Sequence, residues 1–172
     1  MTEEAAGAGD LVIDLSIVAG DWPTEERLAA VCKRAWAAAH KVASFNFQAG
    51  SEVSVVCTND AAVQKLNKDW RGKNKPTNVL SFPASEPVED VYGPLLGDIV
   101  LGFETISREA DDLGIEFETH VTHLIVHGIL HLFDYDHQED DEAELMERME
   151  IEILSCLGIE NPYADRPLVK DA

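Results

Sequence analysis

HGILHLFDYDH, residues 127–137, organises the reading of the chain. His127 and His131 stand four apart inside an apolar helical pattern, so they project from one face a single turn apart. His137 follows six residues later, past the point where that pattern stops. Two imidazoles on a rigid helix and a third on the returning chain would make a three-nitrogen tripod. Such a tripod leaves the fourth corner of a tetrahedral zinc ion open.

Three readings compete for these residues. Hydrogen-bonded structural histidines are the ordinary explanation for one imidazole, and a weak one for two at i,i+4 with a third nearby in a chain holding six. A closed structural zinc needs a fourth ligand, which Asp134, Asp136 or His123 would supply. An open catalytic site is the favoured reading. The spacing is similar to the long zincin signature, but Gly128 stands where metalloproteases carry their general-base glutamate, which argues against peptide hydrolysis. A glycine there leaves space at the metal and takes no proton. Beyond the helix the chain must turn back, which calls for a left-handed residue; Asp134 occupies that place and tolerates it at modest cost. Asp136 is either the acceptor that fixes a ligand imidazole's tautomer or a helix cap. His123, one turn before His127, either lines the same groove or is hydrogen-bonded in the core or at the surface. His120 and His40 read as structural or solvated.

Around this stretch, the helix over about 116–133 is apolar around most of its circumference, so it is expected to be central. An acidic helix over about 139–157 follows, packing through Leu145, Met149, Ile153 and Cys156, with acid in its first turns where the helix dipole favours it. Upstream, 104–113 reads as a helix stopped by Gly114. Residues 95–102, LLGDIVLG, read as the last strand, with Asp98 interrupting it beside a loop amide or near the site. Residues 78–82 form a short strand closed by Pro83. Asn59 or Asp60 caps a helix carrying Val63, Leu66 and Trp70. The β-branched run 52–58 is a strand, 25–40 a helix with Leu28, Val31, Cys32, Ala35 and Trp36 on its apolar stripe, and 11–17 a strand at an edge. The expectation is one α+β domain over residues 1–158, with a loosely ordered tail at 159–172.

The chain has 172 residues, 45% of them apolar, enough for a real core. Its N-terminus lacks a secretory pattern and there is no 18-residue apolar run, so no membrane span is expected. Cys32, Cys57 and Cys156 sit among apolar neighbours and read as reduced core thiols of a cytoplasmic protein. A formal charge of -20 argues against a broad basic nucleic-acid surface. The one basic cluster is Lys68, Arg71, Lys73 and Lys75. Arg71, in LNKDWRGKNKPTNVLSFP (residues 66–83), is either a surface arginine at a helix end or a fork that holds a phosphate opposite the metal. Lys73 and Lys75 suit contacts to a nucleic-acid backbone.

These segments together resemble the YbeY family of bacterial endoribonucleases. That family's signature, H-G-x-L-H-L-x-G-Y-D-H, agrees with residues 127–137 at every specified position except Asp134, where glycine is usual. The resemblance extends through the Arg71 segment, with Asn78 where aspartate is usual, and through LLGDIVL and the acidic helix. It implies a single domain with a four-stranded mixed sheet and about five helices. It further implies that His127, His131 and His137 hold one zinc ion and that Arg71 is the catalytic arginine. The implied activity is cleavage of single-stranded RNA in maturation of the 16S rRNA 3′ end and ribosome quality control. Implied partners are rRNA and the ribosomal small subunit; no membrane partner is expected from the composition, and the oligomeric state stays open, with a monomer favoured. A metallohydrolase of peptides or small molecules, and a non-enzymatic assembly factor with a structural zinc, are the alternatives.

Overall fold

Strand β1 (Val12–Ile17) and strand β2 (Glu52–Thr58) run parallel, Val12 facing Glu52 and Ile17 facing Cys57. Parallel neighbours need a crossover, and helix α1 (Glu25–Ala43) supplies it. The computed structural model describes residues 11–84, 86–136 and 138–163. Thr24 caps α1 by accepting from the Arg27 amide, two acidic residues follow in its first turn, and Ser44 in a left-handed conformation ends it. Helix α2 (Asp60–Arg71) begins at the Asn59 cap and ends at Gly72. Strands β3 (Val79–Pro83) and β4 (Leu95–Gly102) complete a four-stranded sheet of order β1-β2-β4-β3. The β2–β4 pair is parallel and the β3–β4 pair antiparallel, so the sheet is mixed, with β1 and β3 at its edges.

Three helices close the chain: α3 (Phe103–Leu113), α4 (Phe117–Leu132) and α5 (Asp140–Cys156). Helix α4 is the central element the sequence calls for. From His120 to Leu132 every residue is buried except His131, which is half-buried. The main core joins α1, α4 and α5 to the inward side chains of the sheet, Val53, Val55, Cys57, Ile99 and Leu101 among them. A smaller cluster of Val63, Leu80 and Val100 seats α2 on the opposite face. The single α+β domain with a mixed four-stranded sheet and five helices is therefore present.

Several sequence expectations change. Trp70 is 72% exposed and contributes little to the α2 packing. The buried stripe of α5 runs through Ala143, Met146, Glu150, Ile153 and Leu154, about one residue out of register with the expected one, so Leu145 and Cys156 face solvent. Cys32 and Cys57 are core thiols, and burial pushes both up to about 12, which makes them unreactive. Asp98 is exposed on β4. Within 159–172, Ile159 packs against the core and the Tyr163 hydroxyl reaches α5; residues 164–172 lie outside the described residues. No helix among the described residues is long and apolar enough to cross a membrane.

Candidate functional site

Helix α4 ends by a mechanism that shapes the site. Asp134 adopts φ +71°, and the Asp134 and Tyr135 amides donate back to the carbonyls of His131 and Leu130, both at 3.0 Å. This is a Schellman closure, with aspartate in the left-handed position as the sequence expects. The turn delivers the Tyr135 carbonyl to His131, whose Nδ1 lies 3.0 Å from it. A carbonyl only accepts, so His131 carries its proton on Nδ1 and its Nε2 is unprotonated.

His127 is fixed the same way from another direction. Its Nδ1 lies 2.8 Å from Oε2 of Glu150, a residue of α5 that is 1% exposed. Burial alone would raise the Glu150 pKa. Hydrogen bonds from His123 and His127 more than offset that, and hold it well below the usual carboxylate range. An ionised carboxylate also only accepts, so His127 too is protonated on Nδ1. Oε1 of Glu150 accepts from His123 Nε2 and from the Tyr163 hydroxyl, both at 2.6 Å. His123 is thus neither in the groove nor a ligand: it is a neutral buried donor whose own pKa burial lowers.

With both Nδ1 positions taken, the two Nε2 atoms face each other at 3.1 Å. Two unprotonated ring nitrogens that close repel unless a cation or a proton lies between them. Tetrahedral ligands at zinc–nitrogen distances of about 2.0–2.1 Å lie about 3.3 Å apart. The histidine pair therefore fits a zinc ion in spacing, tautomer and orientation. His137, the third expected ligand, lies outside the described residues. Among the described residues no group of three His, Cys, Asp or Glu side chains gathers to hold a metal. The Nδ1 partners of His127 and His131 are Glu150 and the Tyr135 carbonyl.

The pair opens into a cleft of about 250 Å³ that Arg71, Ser81, Asp134 and Asp136 also line. Arg71 is the last residue of α2, from the other side of the sheet, so the fold brings the two segments singled out in the sequence to one place. The Ser81 hydroxyl is buried with no partner among the described residues. Gly128 has a packing role that the sequence did not show. A Cβ there would lie 3.1 Å from two carbons of Ile99 and from Ser81 Oγ, so the glycine lets α4 approach the sheet.

His120 is structural, with Nε2 2.8 Å from Oε1 of Glu109, and His40 stacks on Trp36 at 5.3 Å. The Asn78 amide donates to the same Glu109 oxygen at 2.9 Å. An aspartate at 78 would set two carboxylates against each other there, so the asparagine suits its surroundings.

Asp134 does not aim at the histidines. Its Oδ2 accepts from the Tyr92 hydroxyl at 2.8 Å. Burial, together with that carboxylate, pushes Tyr92 up to about 12, so it remains a donor. Replacing Asp134 by glycine is expected to relieve the left-handed strain and lose this bond, effects of about 1–2 kcal/mol each and opposite in sign. Thermal unfolding of the variant should stay close to wild type with RNA cleavage retained. A large loss of activity would instead make Asp134 a ligand or a base.

A mixed α+β domain with a helix-borne histidine pair, oriented by a buried carboxylate and facing an arginine, defines the class of site. The family model described as Endoribonuclease YbeY matches residues 19–158. An endoribonuclease YbeY of Rhizobium meliloti (strain 1021) is 50% identical over 164 residues, covering 91% of this chain and 97% of that protein. One from Rhodopseudomonas palustris (strain BisB18) is 48% identical over 159 residues, covering 91% and 94%. The solution structure of TM1509 from Thermotoga maritima shares the fold, with a TM-score of 0.53 at 24% identity over 86% of this chain and 92% of that one. The chain belongs to the YbeY endoribonuclease family.

Proposed function

We propose that the chain is a zinc-dependent endoribonuclease that cuts single-stranded RNA. In this reading His127, His131 and His137 hold one zinc ion and Arg71 contacts the phosphate at the bond to be cut. The carrying observation is that Arg71 and the converging His127 and His131 line one cleft. The charge of that cleft supports a bound cation. Asp134 and Asp136 at its wall would repel a phosphate, and a divalent ion reverses the local sign.

Bound zinc supplies Lewis-acid polarisation of the phosphoryl group and lowers the pKa of water. The protein's own part is positioning. Glu150 and the Tyr135 carbonyl hold the two imidazoles in one tautomer, so no proton has to be displaced from Nε2. The Arg71 guanidinium offsets charge that develops on the phosphate oxygens, and its planar fork fits two of them at once. Gly128 offers no proton acceptor where a peptidase places one. A narrow cleft favours a flexible single strand, which bends into it more readily than a duplex. Family membership supports rRNA as the substrate, with 16S 3′-end maturation and ribosome quality control as the setting. It also supports the ribosomal small subunit as partner; a cytoplasmic location is part of the same proposal.

Arg71→Ala tests the reading. Arg71 is exposed, so the variant is expected to fold and keep its metal while kcat on single-stranded RNA falls about 10²-fold. Arg71→Lys should recover only part, since an ammonium lacks the fork. Unchanged cleavage by Arg71→Ala would remove the arginine from the mechanism.

A further inference from the structure

We propose that Trp70 is a stacking platform for a nucleobase of the bound strand, next to the phosphate that Arg71 contacts. The inference rests on the ribonuclease reading above. Trp70 comes seven residues after Val63 and three after Asn67, both fully buried, so helical spacing puts it on the buried face of α2. Yet it is 72% exposed. The indole stands beside the edge strand β3. There it meets Phe82 edge-on, with ring centroids 6.4 Å apart at 65°. That contact orients the ring while leaving most of its surface in water.

An indole so placed adds little to the core, but it suits a planar ligand. Its neighbour Arg71 lines the cleft with the histidines. Successive residues of a helix diverge by about 100°. Arg71 therefore lines the cleft while Trp70 stands beside Phe82 of β3, and a strand crossing that edge can meet both. The local charge selects an anionic chain: Lys68, Arg71, Lys73 and Lys75 are four of the 13 Lys and Arg residues, in a protein of net charge -20. Cations that track a backbone, with an aromatic face between them, are what a single-stranded nucleic acid requires. Stacking is tolerant of sequence because every base has a π-face.

The test uses the full chain loaded with zinc and a short single-stranded RNA carrying one cleavage site. Trp36 is 2% exposed, and the Trp22 indole donates to the Ala19 carbonyl at 2.8 Å, so quenching of tryptophan fluorescence by the RNA reads mainly Trp70. RNA is expected to quench the wild type and not Trp70→Ala. That substitution should raise KM about tenfold with kcat changed little, and Trp70→Phe should restore most of the loss. An RNA lacking the base beside the cut should show the same penalty with wild type and no further penalty with Trp70→Ala. Wild-type KM in Trp70→Ala, or quenching by an acidic peptide and not by RNA, would overturn the stacking role and leave the ribonuclease reading intact. A wild-type chain that neither binds nor cuts the RNA would overturn both.

Discussion

Glu150→Ala is expected to be among the most damaging single substitutions in the protein, although the residue lies in a helix whose surface is crowded with acid. The change strands three buried or half-buried donors at once: His123 Nε2, His127 Nδ1 and the Tyr163 hydroxyl. At about 1–3 kcal/mol for each unsatisfied group, the loss of stability should reach about 4 kcal/mol. For a domain of this size that is about a 10 °C fall in unfolding temperature. Glu150→Gln keeps the volume but turns an N–H toward one of those donors, so it should cost less. It should still weaken metal binding about 10–100-fold, because His127 loses the carboxylate that fixes its tautomer. Scanning calorimetry and competitive metal titration read the two effects separately. If Glu150→Ala unfolds with the wild type and binds metal as tightly, the carboxylate does not organise the site.

His131→Ala is expected to separate structure from chemistry. His131 is only half-buried, and its hydrogen bond to the Tyr135 carbonyl contributes about 1 kcal/mol. Compared without metal, the variant and the wild type should therefore unfold within a few degrees of each other. RNA cleavage by the variant should fall at least about 10³-fold, equivalent to losing about 4 kcal/mol of transition-state stabilisation. A variant that fails to fold would point to a structural zinc, and one that still cuts RNA would place the chemistry elsewhere.

The difference between these two residues shows what the sequence makes legible. His127 and His131 declare themselves locally, because four-residue spacing on a helix is visible in one line of text. So does the Asp134 turn, which follows from the end of the apolar pattern. Strand β2 and the Gly114 stop were equally plain, being a β-branched run and a helix-ending glycine. Glu150 acts on His127 from another helix, and no local rule connects them. Its one signal was positional: it interrupts the spacing Ala143, Met146, Ile153, Leu154, where only apolar residues are otherwise found. Reading the stripe through Leu145 and Cys156 put Glu150 on the solvent side and hid it. Trp70 misled for the opposite reason. Its spacing matches a buried face, yet it is 72% exposed, which no local pattern announces. Gly128 was seen as an absence of glutamate, whereas its contacts with Ile99 and Ser81 belong to helix–sheet packing.

The most direct test is X-ray absorption at the zinc edge on the full chain, with metal content measured on the same sample. One equivalent of zinc per chain is expected, bound by three imidazole nitrogens at about 2.0–2.1 Å with an oxygen from solvent completing the shell. The oxygen should be replaceable by a phosphate oxygen when a non-cleavable RNA is added. Four protein ligands in both states, or full cleavage by a chain that holds no metal, would contradict the account.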